Sequence, residues 1–170
     1  MNDLSGPDRV RAKSLSSTGQ ATEVARIDYT VISKADCGLV WRVFSQCEQW
    51  NRFLNAYGTI KWWGDPWAPG SRLQIELLYP VAAMQSRVIT VCNPPRCVAW
   101  INHVLGYTME QWVLFDPHAS GGTRISTWIE LTGATLRVDG HDDVQKIVRN
   151  FVRQWYTNFA AECDGLAEKA

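Results

Sequence analysis

"GHDDVQKIVRNFVRQWYTNFAAECDGLAE", residues 140–168, repeats apolar side chains every three or four positions and contains no proline. The apolar positions are Val144, Val148, Phe151, Trp155, Phe159 and Leu166. This spacing places them on one side of a helix, where they form a broad apolar stripe. The segment therefore predicts one long amphipathic helix whose apolar face a sheet can enclose.

Six strands are predicted immediately before this helix, over residues 57–63, 72–79, 84–92, 96–103, 107–115 and 123–131. These segments are rich in β-branched and aromatic residues, and turn sequences such as GDPWAPG and DPHASGG separate them. Connections of this length, with no helix in between, are typical of an antiparallel meander.

A further strand and two short helices are predicted upstream of the meander. The segment VARIDYTVI, which starts at Val24, alternates between two faces as a half-buried strand does. Asp36 is placed to cap a helix after it, and residues 47–53 predict a second short helix. Seven strands and three helices in this order indicate an α+β fold.

The domain organisation follows from composition. Residues 1–22 are rich in serine, glycine and charge and lack a hydrophobic period. They cannot bury enough apolar surface to offset their ordering entropy, so we expect a flexible N-terminal tail. Residues 23–170 have the length of a single domain with a sizeable core.

The charge balance and hydropathy argue against several partners. The chain has 17 basic and 17 acidic side chains, so no net field attracts nucleic acid or anionic lipid. No apolar run is long enough for stable membrane insertion, and the N-terminus lacks the apolar core of a signal peptide. We expect a cytoplasmic protein.

The cysteines and histidines give no metal signature. Five cysteines, an odd number without a CxxC pair, are predicted to be reduced thiols. His103, His118 and His141 lie far apart in sequence, and the chain has no P-loop or GxGxxG motif. We therefore predict no metal site and no cofactor.

Four motifs carry a resemblance to a known family: VWRVFSQCEQWNRFL, APGSRL, CNPPRCVAW and GGTRISTWIELTG. Their order, followed by a long terminal helix, resembles the polyketide cyclase/dehydrase-like branch of the START-related (SRPBCC) superfamily over about residues 24–170. The resemblance implies a helix-grip fold, in which a curved antiparallel seven-stranded sheet wraps around the C-terminal helix, with two short helices between strands 1 and 2. It also implies a cavity for a hydrophobic small molecule.

The resemblance places Val113 and Phe115 inward, and strand alternation then assigns the faces of their neighbours. The predicted ligand-binding residues are Tyr79, Trp100, Asn102, Tyr107, Met109, Gln111, Val113, Thr127, Ile129, Val148, Phe151, Val152 and Trp155. Apolar walls with a few polar groups are typical of a ligand pocket. Alternatively, the polar groups bond one another or buried water.

The two ends of the sheet are predicted to differ. In helix-grip proteins the ligand mouth lies by the start of the C-terminal helix. Loop counting puts the apolar residues Val81, Val104, Leu105 and Leu136 at that end, where they either admit an apolar ligand or pack together and shut the cavity. At the other end, Trp62 or Trp63 of WWGDPW is predicted to pack on Phe159, Cys163 and Trp50, with Trp67 partly exposed.

The outer face of the sheet is predicted to carry Trp112 and Trp128 as neighbours. Exposed paired aromatics often mark an interface, so a homodimer through this face is one hypothesis. In the other, the N-terminal tail covers the pair.

The fold hosts carriers, cyclases, lyases and receptors, so function must be argued from the site. No predicted inward position holds a carboxylate or a histidine, and only His103 and His141 near the mouth could titrate near neutral pH. The catalytic residues are therefore unknown. The leading hypothesis is binding or carriage of a lipid-like or aromatic molecule. The alternatives are a cyclase or dehydratase acting on a polyketide-like substrate, and a protein-interaction module.

Overall fold

The computed structural model describes the backbone of residues 14–15, 21–104, 107–133 and 141–169, and side chains within 24–103, 107–133 and 145–169. One antiparallel sheet contains the strands β1 (Ser14–Leu15), β2 (Ala21–Ser33), β3 (Tyr57–Trp63), β4 (Arg72–Leu77), β5 (Ala83–Asn93), β6 (Cys97–Val104), β7 (Tyr107–Pro117) and β8 (Thr123–Gly133). The helices in the described residues are α1 (Cys37–Ser45), a 3-10 helix (Cys47–Arg52) and α2 (His141–Ala167).

The strand order is β1-β2-β8-β7-β6-β5-β4-β3, which confirms the predicted antiparallel sheet of seven main strands and the six-stranded meander β3–β8 within it. The two-residue β1 adds to it by pairing with the first two residues of β2. These pairs fall within the segment predicted as a tail, and the rest of that segment lies outside the described residues. The division into a tail and one domain stays a prediction.

The sheet bends at two irregularities in its pairing. The register shifts between Tyr57 and Ile60 on β3 and between Ile89 and Val91 on β5. An extra residue on one strand of a pair bends that strand and increases its twist. The curved sheet packs its inner face on α2, as the resemblance implied.

Hydrogen bonds fix the C-terminal half of α2 to the rest of the domain. The Asp164 carboxylate accepts from the Ser33 hydroxyl at 2.6 Å and from the Lys34 backbone N–H at 2.7 Å. The Asn158 side-chain amide donates to the Phe53 carbonyl oxygen at 2.7 Å. These bonds hold this half of the helix against the end of β2 and the residue that follows the 3-10 helix.

The short helix α1 begins where the sequence predicts. The Asp36 side chain accepts a hydrogen bond from the Leu39 backbone N–H at 2.8 Å, which satisfies one of the free donors of the first turn. Val40, Val43 and Phe44 are buried. These three residues form the buried face of α1.

The GGTR motif is a tight contact between the start of β8 and the end of β2. A side chain at Gly122 would overlap the Ser33 carbonyl oxygen, so only glycine fits there. Gly121 has a φ of 89°, which glycine adopts without strain. The buried Thr123 hydroxyl donates to the Ala35 carbonyl oxygen at 2.7 Å.

The tryptophans of WWGDPW are placed differently from the prediction. Trp67, expected to be partly exposed, is buried, and its indole N–H donates to the Ser45 carbonyl oxygen at 2.9 Å. Trp63 is 55% exposed, and Trp62 is half-buried with its ring centroid 5.0 Å from that of Trp67. Trp67 has a φ of 65° in this turn, and its side chain points inward. Its other ring contacts are Trp41, Phe44 and Trp50.

Strand β4 ends two residues earlier than predicted. Its last pair with β5 joins Leu77 to Ala83, and the backbone N–H groups of Leu78 and Tyr79 then both donate to the Ala56 carbonyl oxygen. The predicted inward placement of Tyr79 is therefore wrong, because strand alternation does not extend beyond Leu77. Tyr79 is 47% exposed.

The outer face carries the aromatic pair that the sequence predicts. Trp112 on β7 is paired with Trp128 on β8, and their rings stack at a centroid distance of 5.6 Å. The Arg26 guanidinium lies 5.0 Å from the centre of the Trp128 ring. Both indoles are half-buried. A homodimer through this face stays a prediction.

Candidate ligand-binding site

The inner face of the sheet and α2 enclose a cavity of about 110 Å³. Strands β5 to β8 form one wall, and the helix contributes Ile147, Val148, Phe151, Val152, Trp155 and Tyr156. An engineered cavity of about 150 Å³ in another protein admits benzene. The present cavity is smaller but of the same order, so its size is closest to that of one small ring or a short chain.

Most of the wall is apolar. Ile129 and Leu131 on β8 and Val152 on α2 are buried and face the cavity. They lie there because strand alternation and helix periodicity direct these positions to the same side as the core. Such walls reject water and favour an apolar ligand surface.

The cavity reaches the surface at the end that the loop count predicted. Pro80 and Val81, in the connection between β4 and β5, line it together with Tyr107 and Ile147. Val81 is also 38% exposed, so the opening lies beside it. The side chains of the other predicted mouth residues lie outside the described residues: Val104, Leu105 and Leu136.

A hydrogen-bond network occupies the wall formed by β7 and β8. The Gln111 amide nitrogen lies 3.1 Å from the Thr127 hydroxyl and 3.1 Å from the Tyr156 hydroxyl. The Thr127 hydroxyl donates to the Trp112 carbonyl oxygen at 2.7 Å. The alternative in which polar residues bond one another thus applies to Gln111 and Thr127.

The opposite wall carries a cation, Arg87 on β5, whose side chain is half-buried and whose Nε is fully buried. Its guanidinium carbon lies 5.0 Å from the Trp100 ring centre and 5.8 Å from that of Trp50. One terminal nitrogen donates to the Gln85 side-chain oxygen at 3.2 Å, and the buried Nε has no hydrogen-bond partner. Within the part of the chain that the structure describes, no carboxylate forms an ion pair with Arg87.

Burial lowers the pKa of Arg87, while the nearby Tyr57, Tyr156 and Cys47 act in the opposite direction. A guanidinium nevertheless keeps its proton in proteins. Arg87 is therefore a positive charge on the cavity wall at neutral pH.

Two indole N–H groups of the cavity also lack an acceptor. Nε1 of Trp100 and Nε1 of Trp155 are buried and unpartnered. The Trp155 indole lies near the Tyr57 hydroxyl without reaching hydrogen-bond geometry. The cavity wall thus presents three unused N–H donors, counting the Nε of Arg87.

The hydroxyl groups of Tyr57 and Tyr156 also belong to the polar part of the cavity wall. Burial raises the pKa of Tyr57 and of Tyr156 well above the ordinary value of a phenol, and the charge of Arg87 partly offsets this. Both hydroxyls therefore stay protonated near neutral pH. They can form hydrogen bonds, but they are weak acids for proton transfer.

Ten of the thirteen predicted site residues line the cavity: Trp100, Asn102, Tyr107, Met109, Gln111, Ile129, Val148, Phe151, Val152 and Trp155. Three do not. Val113 lies further toward the closed end, within the packed core, and Thr127 lies behind Gln111. Tyr79 lies past the end of β4, with its ring 6.4 Å from that of Phe151.

Twelve lining residues lie outside the predicted ligand-binding set: Phe44, Trp50, Tyr57, Leu77, Pro80, Val81, Ala83, Gln85, Arg87, Leu131, Ile147 and Tyr156. The faces of β5 were not assigned from the sequence, because polar and apolar residues mix on both of them. A usable signal exists in the sheet register, since Arg87 pairs with Asn102, which was assigned inward. The closed end of the cavity comes from α1 and the 3-10 helix, whose orientation strand alternation does not specify.

Neither metal ligands nor membrane helices are found in the described residues. No group of three or more His, Cys, Asp or Glu side chains there is arranged to hold a metal ion. No described helix is both long enough and apolar enough to cross a membrane.

Comparison with protein-family models gives no match, and neither does comparison with curated protein sequences. Solved structures do match. Norcoclaurine synthase from Thalictrum flavum, in complex with dopamine and hydroxybenzaldehyde, is 12% identical, with a TM-score of 0.68 over 91% of this chain and 95% of the synthase.

Two further structures match equally well. Ara h 8.0201 is 11% identical, with a TM-score of 0.68 over 82% of this chain and 97% of its own. The hypothetical protein jhp0584 from Helicobacter pylori is 14% identical, with a TM-score of 0.68 over 82% of this chain and 88% of its own. At this identity the likeness concerns the fold. The chain therefore has the same helix-grip fold as these structures.

Proposed function

We propose that this protein binds or carries a hydrophobic small molecule, aromatic or lipid-like, in the cavity between the sheet and α2. The observation that supports the proposal is an apolar cavity that opens beside an exposed apolar residue, Val81. A concave, mostly apolar pocket with a few polar groups is the usual form of a small-molecule site.

A structural neighbour supports the choice of a small aromatic ligand. The norcoclaurine synthase structure holds dopamine and hydroxybenzaldehyde, which each contain one aromatic ring. A cavity of about 110 Å³ has room for a group of that size. A longer ligand must extend through the mouth.

Binding accounts for the site better than a cyclase or dehydratase reaction does. Such a reaction needs a group that accepts a proton near neutral pH. No described residue of the cavity wall is a carboxylate or a histidine, and burial keeps Tyr57 and Tyr156 protonated. The unused donors could stabilise an oxyanion, but they supply no base.

The proposal is tested with N-phenyl-1-naphthylamine, a neutral probe that becomes fluorescent in apolar surroundings. Ile147 lines the cavity near its mouth, so Ile147→Trp fills part of the space. We expect the variant to bind the probe at least tenfold more weakly than the unmodified protein. The matched control is Ile32→Trp, because Ile32 is 50% exposed and is not part of the cavity wall.

The control should bind the probe with unchanged affinity. Thermal unfolding of both variants checks that each is folded. Native mass spectrometry of gently purified protein gives a second measurement, for which we expect a retained apolar molecule. Absence of probe binding together with a ligand-free mass would contradict the proposal.

A further inference from the structure

The cavity contains an excess of buried N–H donors that have no acceptor. Nε of Arg87 and the indole N–H groups of Trp100 and Trp155 are buried without an acceptor. Buried polar groups in folded proteins are nearly always hydrogen-bonded, so each exception requires an explanation. All three exceptions are N–H donors, and all three residues line one cavity.

The excess of donors coincides with an excess of positive charge. Arg87 is held against the Trp100 ring and by the Gln85 side-chain oxygen. Among the described residues, no carboxylate neutralises Arg87. Charged groups that are removed from water are normally paired, because their removal is costly, and the Nε of Arg87 is fully buried although the side chain as a whole is half-buried. The cavity is therefore complementary to a negatively charged acceptor that the described residues do not supply.

We propose that the ligand carries a carboxylate that pairs with Arg87, so that the cavity selects an apolar acid over its neutral analogue. The inference rests on the proposed function and specifies its ligand class. A carboxylate is planar, and its two oxygens can accept from the guanidinium Nε–H and from an indole N–H at the same time. Its single charge matches the single charge of Arg87.

The geometry also orients this ligand. Arg87 lies near Trp50, toward α1 and the 3-10 helix, whereas the mouth lies at Val81 and Ile147. The carboxylate therefore lies at the inner end and the apolar part points to the mouth. A doubly charged phosphate fits less well, because its greater dehydration cost would be met by one cation in a small space.

The test compares two ligands that differ only in charge, 2-naphthoate and 2-naphthamide, by isothermal titration at pH 7. We expect the unmodified protein to bind the carboxylate at least tenfold more tightly than the amide. Arg87→Met, which keeps an unbranched side chain without the charge, should reduce this preference to less than twofold and leave the affinity for the amide within threefold.

Two further variants serve as controls. Arg72→Met removes an exposed arginine on β4 that does not line the cavity, and it should keep the full preference. Arg87→Lys retains the charge without the planar donor set, and it should keep part of the preference. This variant also tests the inference if Arg87→Met does not fold.

Thermal unfolding separates a binding role from a structural role. An unpaired cation that is partly removed from water destabilises the empty protein, so Arg87→Met without ligand should unfold at the same or a higher temperature. The carboxylate should raise the unfolding temperature of the unmodified protein and not that of the variant. A lower unfolding temperature of the empty variant, with its carboxylate preference intact, would overturn the inference.

The outcomes also distinguish the inference from the proposed function. If the amide and the carboxylate bind equally well to the unmodified protein, the carboxylate inference is wrong and the hydrophobic site stands. If the amide, the carboxylate and N-phenyl-1-naphthylamine all fail to bind, the proposed function itself is wrong.

Discussion

Trp67 and Trp63 belong to one short segment but differ in their contribution to stability. Trp67 is buried against Trp41, Phe44 and Trp50, whereas Trp63 is 55% exposed. Trp67→Ala should lower the free energy of unfolding by about 3–5 kcal/mol, because it leaves a cavity in an aromatic cluster. Trp63→Ala should change it by about 0.5 kcal/mol or less. Urea unfolding measures both values, and equal costs would contradict the assignment.

The buried thiols predict a loss of stability at alkaline pH. Burial raises the pKa of Cys47 and of Cys163 to about 12, from an ordinary value of 9.0. Between these values the unfolded thiols lose their protons while the folded thiols keep them, so the unfolded state binds fewer protons. The free energy of unfolding should therefore fall as pH rises above 9, by about 1.4 kcal/mol per pH unit for each thiol.

Urea unfolding between pH 7 and pH 10.5 measures this slope. Cys47→Ala should reduce the slope, whatever its effect on stability at pH 7. Stability that is constant from pH 9 to pH 10.5 would contradict the assigned burial.

Residue-level prediction succeeded where one face was already fixed, as for Trp100, Asn102 and Ile129. No direction was predicted for Arg87, because polar and apolar residues mix on both faces of β5. Only the pairing of Arg87 with Asn102 across β5 and β6 reveals its direction. That pairing is a long-range property of the sheet, and local periodicity does not contain it.

Gly122 and Gly165 differ in how closely neighbouring elements pack around them. A methyl group at Gly122 would overlap the Ser33 carbonyl oxygen, where β8 meets the end of β2. Gly165, on α2, has open space around its Cα. Gly122→Ala should lower the free energy of unfolding by about 1–3 kcal/mol through overpacking. Gly165→Ala should raise it by about 0.5–1 kcal/mol through helix propensity.

Guanidinium unfolding of the two alanine variants checks the opposite signs. Because both substitutions add the same methyl group, any difference between their effects on the free energy of unfolding arises from the surroundings of the two glycines. A destabilised Gly165→Ala variant would show that the exposed side of α2 is covered in solution.

Helices and strands were predictable from periodicity. Apolar residues recur every second position in a half-buried strand and every three to four positions in an amphipathic helix. The end of β4 was not predictable in this way. Residues 78 and 79 continue a strand-like composition, yet their backbone N–H groups bond to the Ala56 carbonyl oxygen instead of β5. The Ala56 carbonyl oxygen and the acceptors of β5 compete for these two N–H groups. The outcome of this competition sets the end of β4, and residue composition does not indicate it.

At the scale of the molecule, the order of elements and the motif resemblance were sufficient to predict the fold. The character of the cavity was less predictable, because its closed end is formed by side chains from α1, the 3-10 helix and α2 together. Phe44 and Trp50 line this end together with Tyr156, which is distant from both in sequence. Contacts of this kind follow from tertiary packing, for which one sequence gives little direct information.

The helix α2 is anchored to the rest of the domain through hydrogen bonds of its C-terminal half. Its C-terminal half is held by the hydrogen bonds of Asp164 and Asn158, whereas Val148 and Phe151, nearer its start, are half-buried on the cavity wall. A small rotation about these hydrogen bonds displaces the start of the helix most and leaves the bonds intact. If the protein binds ligands as proposed, we expect guests of different size to be accommodated by a displacement of the helix start and not by repacking of the core.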